Sequence, residues 1–104
     1  MNHFKWSKAE KKVAKEAFDK AYQRECKKII SDIKKYKLEQ PDDIWSLSEM
    51  LKEREKEINQ IYDYRYSQLI MVFAILIKRR FLSIKELEGL SDDKIDQIEK
   101  IMSL

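Results

Sequence analysis

Residues 7–36 have the sequence SKAEKKVAKEAFDKAYQRECKKIISDIKKY. Ser7 and Glu10 have the spacing of a capping box, which predicts that a helix begins here. Apolar residues then recur every three or four positions up to Tyr36, as on one face of an α-helix. No helix-breaking residue follows before Pro41. We therefore expect one helix of about 30 residues, roughly 45 Å long at ~1.5 Å per residue.

Pro41, followed by Asp42 and Asp43, predicts the start of a second helix, because proline and acidic side chains favour the first turn. Its apolar positions again follow helical spacing and continue to Tyr62. Residues 52–57 interrupt them with a charged run, KEREKE. Either this run is a solvated stretch, or Arg54 or Glu55 faces a seam between paired helices and fixes their register.

The remaining residues predict a bend followed by three shorter helices. Residues 62–67 break the apolar pattern, and Ser67 is a candidate cap for a third helix from Gln68 to about Arg80. Ser83 and Glu86 form a second capping box for a short helix that Gly89 can close, and residues 91–93 start a last helix. We expect a single all-α domain over residues 1–104, with a helical-hairpin stem (about 7–64) and a three-helix head (about 67–103).

The composition argues against most enzyme classes. The chain has one Gly and one Pro, too few for the turns of a β or α/β fold. Its one cysteine, Cys26, and its one histidine, His3, cannot build a multi-cysteine metal site or a well-placed catalytic relay. We expect no catalytic residues, no metal and no cofactor.

The apolar content predicts no membrane association. The longest apolar run, residues 69–77, is far shorter than the about 20 residues of a membrane span. The N-terminus lacks the apolar stretch of a signal peptide. We expect a cytoplasmic protein.

A lone two-helix hairpin cannot cover both of its long apolar stripes, whereas two hairpins paired into a four-helix bundle can. We therefore expect a homodimer formed through the stem, with Trp45, Leu51 and Arg54 in the interface. Residues 1–40 also carry 12 basic and 6 acidic side chains, which leaves nucleic-acid binding as a less favoured alternative. Glutamates interrupt the basic field, and a solvated lysine face is the simpler interpretation.

Several short motifs, in this order and spacing, resemble the cyanobacterial fluorescence recovery protein family. The resemblance extends from Trp6 to the C-terminus, and its motifs are AYQRE at 21–25, DDIW at 42–45, Tyr62-Asp63 with Arg65 and Ser67, and VFA at 72–74 followed by Leu76. It implies an all-α protein with a dimer-forming stem and a small helical head. It further implies an activity without covalent chemistry: binding the C-terminal domain of photoactivated orange carotenoid protein and speeding its return to the orange form.

The resemblance also assigns residues to the two surfaces. Ile44 and Trp45 match positions of the family's dimer interface, and Met71, Phe73 and Lys94 match head positions. Together with Arg65, these three head residues are the predicted partner contacts. Three residues depart from the family's His, Asp and Arg, namely Ser48, Glu49 and Glu55. A dimeric module of the same family with a different protein client is therefore the alternative.

Overall fold

The computed structural model describes residues 4–104, so His3 lies outside the described residues. The regular elements of this range are four α-helices and one 3₁₀ helix: α1 (Lys8–Lys34), α2 (Pro41–Ile61), α3 (Leu69–Lys78), the 3₁₀ helix (Ile84–Leu87) and α4 (Asp92–Met102). The predicted all-α fold is confirmed. The described chain is elongated, with extents of 53 × 23 × 23 Å.

The start of α1 follows the predicted capping box. The Ser7 hydroxyl accepts a hydrogen bond from the Glu10 backbone N–H at 3.1 Å, and the Glu10 carboxylate accepts one from the Ser7 N–H at 3.0 Å. The helix ends at Lys34, two positions before Tyr36, and its 27 residues are close to the expected length of about 30. Gln40 is already extended, as expected of the residue that precedes a proline.

The hydrophobic core lies where α3 packs against α4 and the first half of α1. Its largest fully buried side chains are Phe73, Leu69, Leu76, Leu87 and Ile98. On α1 the buried apolar residues are small, Ala14, Ala17 and Ala21, which allows a close approach of the neighbouring elements. The first half of α1, which lies within the predicted stem (7–64), therefore also contributes to the core of the head.

α2 runs back along α1 without burying any residue of its own. Arg54 contacts Asp32, Tyr62 contacts Glu25 and Tyr64 contacts the Lys11 carbonyl, so later residues meet progressively earlier residues of α1. This order makes the two helices antiparallel, as predicted for a hairpin. An amphipathic helix with no buried face on its own chain leaves its apolar stripe open.

The bend and the short helices differ in detail from the predictions. Ser67 does not cap α3, because the N-cap position is Gln68, and α3 ends at Lys78 rather than near Arg80. Arg80 instead has a positive φ of 67°. The second capping box does open a helix, with the Glu86 carboxylate accepting from the Ser83 N–H at 3.1 Å, but the helix is 3₁₀. Gly89 follows at a φ of 112°.

No helix within residues 4–104 combines the length and the apolar character that crossing a membrane would need.

Candidate functional site

The head carries an open groove between the start of α3, the end of α4 and the N-terminal segment. Its volume is about 350 Å³, and its lining is mixed apolar and polar: Phe4, Tyr66, Ser67, Gln68, Ile70, Met71, Gln97 and Ile101. We call this the head groove. A concave surface with apolar walls and a few amides and hydroxyls is suited to contact with a protein side chain or helix.

Met71 and Phe73 point to different sides of α3, as their spacing of two positions requires. Met71 is 48% exposed and lines the head groove, whereas Phe73 has no exposed surface and lies in the core. Met71 is therefore available to a partner. The expectation that Phe73 contacts a partner is corrected, because in this conformation its ring is enclosed by the head.

Lys94 is also an interior residue, only 3% exposed. Its ammonium group donates hydrogen bonds to the Glu10 carboxylate at 2.9 Å and to the Lys5 carbonyl at 2.7 Å, and it lies 4.9 Å from the centroid of the Trp6 ring. The expectation that Lys94 contacts a partner is corrected in the same way. Instead, its ion pair with Glu10 links α4 to the start of α1.

Glu10 receives enough hydrogen bonds to stay ionised inside this contact. Burial opposes the charge, but bonds from the Ser7 N–H, the Lys94 ammonium and the Ser91 N–H outweigh burial and lower the pKa of Glu10 to about 2. One carboxylate thus satisfies the capping box of α1 and also holds the start of α4.

Arg65 is exposed at the junction of stem and head, where a partner can reach it. Its guanidinium donates to the Asp63 carboxylate at 2.8 Å and lowers the pKa of that carboxyl group. The pair is solvent-exposed, so it contributes little to stability.

The exposed side of α2 is the second candidate surface, which we call the open stem face. Ile44 is 56% exposed, Trp45 69% and Leu51 37%. Ile44 and Leu51 border a shallow groove with Leu47, Ser48, Lys52 and Glu55. Exposed large apolar residues grouped on one helix face are typical of a protein-binding surface.

Arg54 does not share this face. Its guanidinium meets the Asp32 carboxylate of α1 at 3.0 Å within the same chain and lowers the pKa of that carboxyl group. Of the two residues considered for the seam, the structure places Glu55 on the open stem face and directs Arg54 toward α1.

A buried charge that the sequence did not predict lies at the junction. Glu25 is 3% exposed, and its carboxylate accepts hydrogen bonds from the Tyr62 hydroxyl at 2.9 Å and from the Arg79 guanidinium at 2.6 Å. Its spacing in the sequence could have indicated that it is buried. Glu25 lies four positions after Ala21, which lies four positions after Ala17, and all three share the buried side of α1.

Within residues 4–104 no three His, Cys, Asp or Glu side chains are grouped to hold a metal ion. The described residues present two open surfaces, the head groove and the open stem face, and a packed junction lies between them.

Comparison with protein families places the chain among the regulators of photoprotection. It belongs to the fluorescence recovery protein family, described as photoprotection regulators, whose sequence profile matches residues 6–102. The fluorescence recovery protein of Synechocystis sp. is 37% identical over 101 residues, which cover 95% of this chain and 93% of that protein.

Solved structures show the same fold. The fluorescence recovery protein of Fremyella diplosiphon superposes with a TM-score of 0.90 at 40% identity, covering 96% of this chain and all of that one. The Synechocystis structure gives the same TM-score and coverage at 36% identity. The resemblance inferred from the sequence motifs is confirmed.

Proposed function

We propose that the chain binds the C-terminal domain of photoactivated orange carotenoid protein through the head groove and speeds its return to the orange form. It acts by binding, without covalent chemistry. A binder accelerates such a relaxation when it holds the compact or transition-like state better than the open one. Membership of a photoprotection regulator family supports this activity and a cytoplasmic location.

The observation that carries the proposal is the exposure of Met71 at the head groove. A large apolar side chain left 48% exposed beside a concave surface is a candidate anchor for a partner. Arg65, exposed at the junction, supplies a positive charge for the edge of the contact.

We further propose that two copies pair through the open stem face, with Ile44, Trp45 and Leu51 at the contact. Covering these three residues removes apolar surface from water, which stabilises the pair by roughly 25 cal/mol for each Å² of apolar area covered. Arg54 supports the interface indirectly by holding α2 against α1 through Asp32.

The charge pattern of α1 favours a protein partner over a nucleic acid. Lys15, Lys20 and Lys28 are each within 4.0 Å of a carboxylate, at Asp19, Glu86 and Asp32. Lysines already paired with acids release fewer counterions from a phosphate backbone.

The test is to measure, by calorimetry, binding of this chain to the isolated C-terminal domain of orange carotenoid protein. We expect saturable binding that Met71→Glu weakens at least about tenfold, or ~1.4 kcal/mol, because a carboxylate would be buried against apolar surface. Ile84→Glu is the matched control, since Ile84 is an exposed apolar residue of the head outside the head groove. Binding of a different client, with none to this domain, would instead support the alternative of a changed partner.

A further inference from the structure

Residues 62–66 connect the end of α2 to the start of the head, and we call them the tyrosine strap. Tyr62, Tyr64 and Tyr66 alternate with Asp63 and Arg65. The three tyrosine rings contact residues of α1 or the segment before it, whereas Asp63 and Arg65 pair with each other. The strap therefore has one packed side and one solvent side.

The packed side is a continuous series of aromatic contacts. Tyr62 lies 5.4 Å from Phe18 and Tyr64 lies 4.8 Å from Phe18, measured between ring centroids. Tyr64 lies 5.8 Å from Tyr66, which lies 5.6 Å from Trp6. The first three pairs are edge-to-face and the Tyr66–Trp6 pair is tilted. Because the rings are in close contact, a displacement of one ring can be passed to its neighbour.

The stem end of the strap is anchored to a buried charge. The Glu25 carboxylate accepts from the Tyr62 hydroxyl at 2.9 Å and from Arg79 at 2.6 Å, and the Arg79 guanidinium also lies 3.6 Å from Glu57 of α2. Arg79 is the C-cap residue of α3. Any shift in the end of α2 therefore acts on both the strap and the helix that carries Met71.

The head end of the strap forms a wall of the head groove, because Tyr66 lines it beside Met71. α2, by contrast, has no buried residue, so its position is set by these end contacts, by the Arg54–Asp32 pair and by whatever covers its open stem face. The strap is thus the physical connection between the two surfaces described above.

We propose that the tyrosine strap couples pairing of α2 to the shape of the head groove, so that joining or separating two copies changes the groove's affinity for its partner. The inference rests on the proposed dimer and the proposed groove function. Coupling of this kind is reciprocal: a partner that binds one arrangement of the groove changes the affinity between the copies by the same factor.

The experiment follows the Met71 methyl signal by NMR while light scattering reports the mass of the same samples. Trp45→Glu separates the copies, and its matched control is Ser46→Glu, which places the same charge at the exposed neighbouring position. Each is made in the wild-type chain and in Tyr62→Phe, which keeps the ring and removes only the hydroxyl bonded to Glu25. Tyr22→Phe is the control for that change, because Tyr22 contacts the Tyr62 ring and is not bonded to Glu25.

We expect Trp45→Glu to halve the mass and shift the Met71 signal in the wild-type and Tyr22→Phe chains. In Tyr62→Phe the mass should halve while the shift falls to less than half its size. A halved mass with an unmoved Met71 signal, or an equal shift in all backgrounds, would overturn the coupling but leave the dimer standing. A wild-type mass of one chain would instead overturn the dimer, and the coupling with it.

Discussion

The Tyr62 hydroxyl donates a 2.9 Å hydrogen bond to the buried Glu25 carboxylate, which joins the residue after α2 to the packed face of α1. Burial of the Tyr62 ring, together with this bond to a carboxylate, raises the pKa of Tyr62 above its usual range. The same carboxylate holds Arg79 at the end of α3. One interior charge therefore organises the place where stem and head meet.

Removing that charge should destabilise the chain more than removing the hydroxyl. Glu25→Ala leaves the Arg79 and Tyr62 groups without their acceptor and should cost ~3 kcal/mol, whereas Tyr62→Phe should cost about 1–2 kcal/mol. Chemical denaturation followed by circular dichroism measures both. Equal and negligible effects would show that the junction does not depend on Glu25.

Acid should weaken the contact between α1 and α4. The pKa of Glu10 is about 2 in the folded chain and 4.5 ordinarily, so its contribution is complete above about pH 4.5 and is lost as the pH falls toward 2. The difference between these two pKa values corresponds to a contribution of about 3 kcal/mol. In Glu10→Gln the free energy of unfolding should be lower at neutral pH and should vary less between pH 5 and 2. An unchanged pH profile in this variant would contradict the assignment.

A side chain at Gly89 should destabilise the chain. Its φ is 112°, and a Cβ atom there would lie 2.9 Å from a methyl carbon of Val13. Gly89→Ala should therefore lower the free energy of unfolding by about 1–3 kcal/mol. Glu88→Ala is the control, because Glu88 is exposed and has a φ of −57°. Thermal melts of the two variants should differ clearly; indistinguishable melts would argue against this strain.

Trp45→Glu should convert the proposed dimer into single chains of 12.6 kDa, because pairing would bury a carboxylate in an apolar contact. Light scattering over a range of concentrations measures this directly. Ser46→Glu, which leaves Trp45 in place, should remain paired. A Trp45→Glu variant with the mass of two chains would remove Trp45 from the interface.

The features that the sequence predicted well are those with local causes. The capping boxes at Ser7 and Ser83 and the start of α2 at Pro41 depend on residues a few positions apart, and each is present. The all-α class follows from helical spacing and from the scarcity of Gly and Pro. The motifs around Trp45 and Tyr62 also identified the family.

The features that it missed depend on partners far along the chain. Lys94 pairs with Glu10 over 84 positions, and Arg79 pairs with Glu25 over 54. A motif match placed Lys94 on the head, but only packing shows that its ammonium group is turned inward. The end of α3 was predicted near Arg80 for a related reason. Arg80 adopts a positive φ, which is uncommon for an arginine and cannot be read from its residue type.

We propose that this chain accelerates recovery of a photoactivated partner by binding it. The most direct measurement mixes it in the dark with photoactivated orange carotenoid protein and follows the red-to-orange absorbance change. We expect clear acceleration at near-stoichiometric amounts, retained by Ile84→Glu and largely lost in Met71→Glu. An unchanged relaxation rate with a folded wild-type chain, or full acceleration by Met71→Glu, would contradict it.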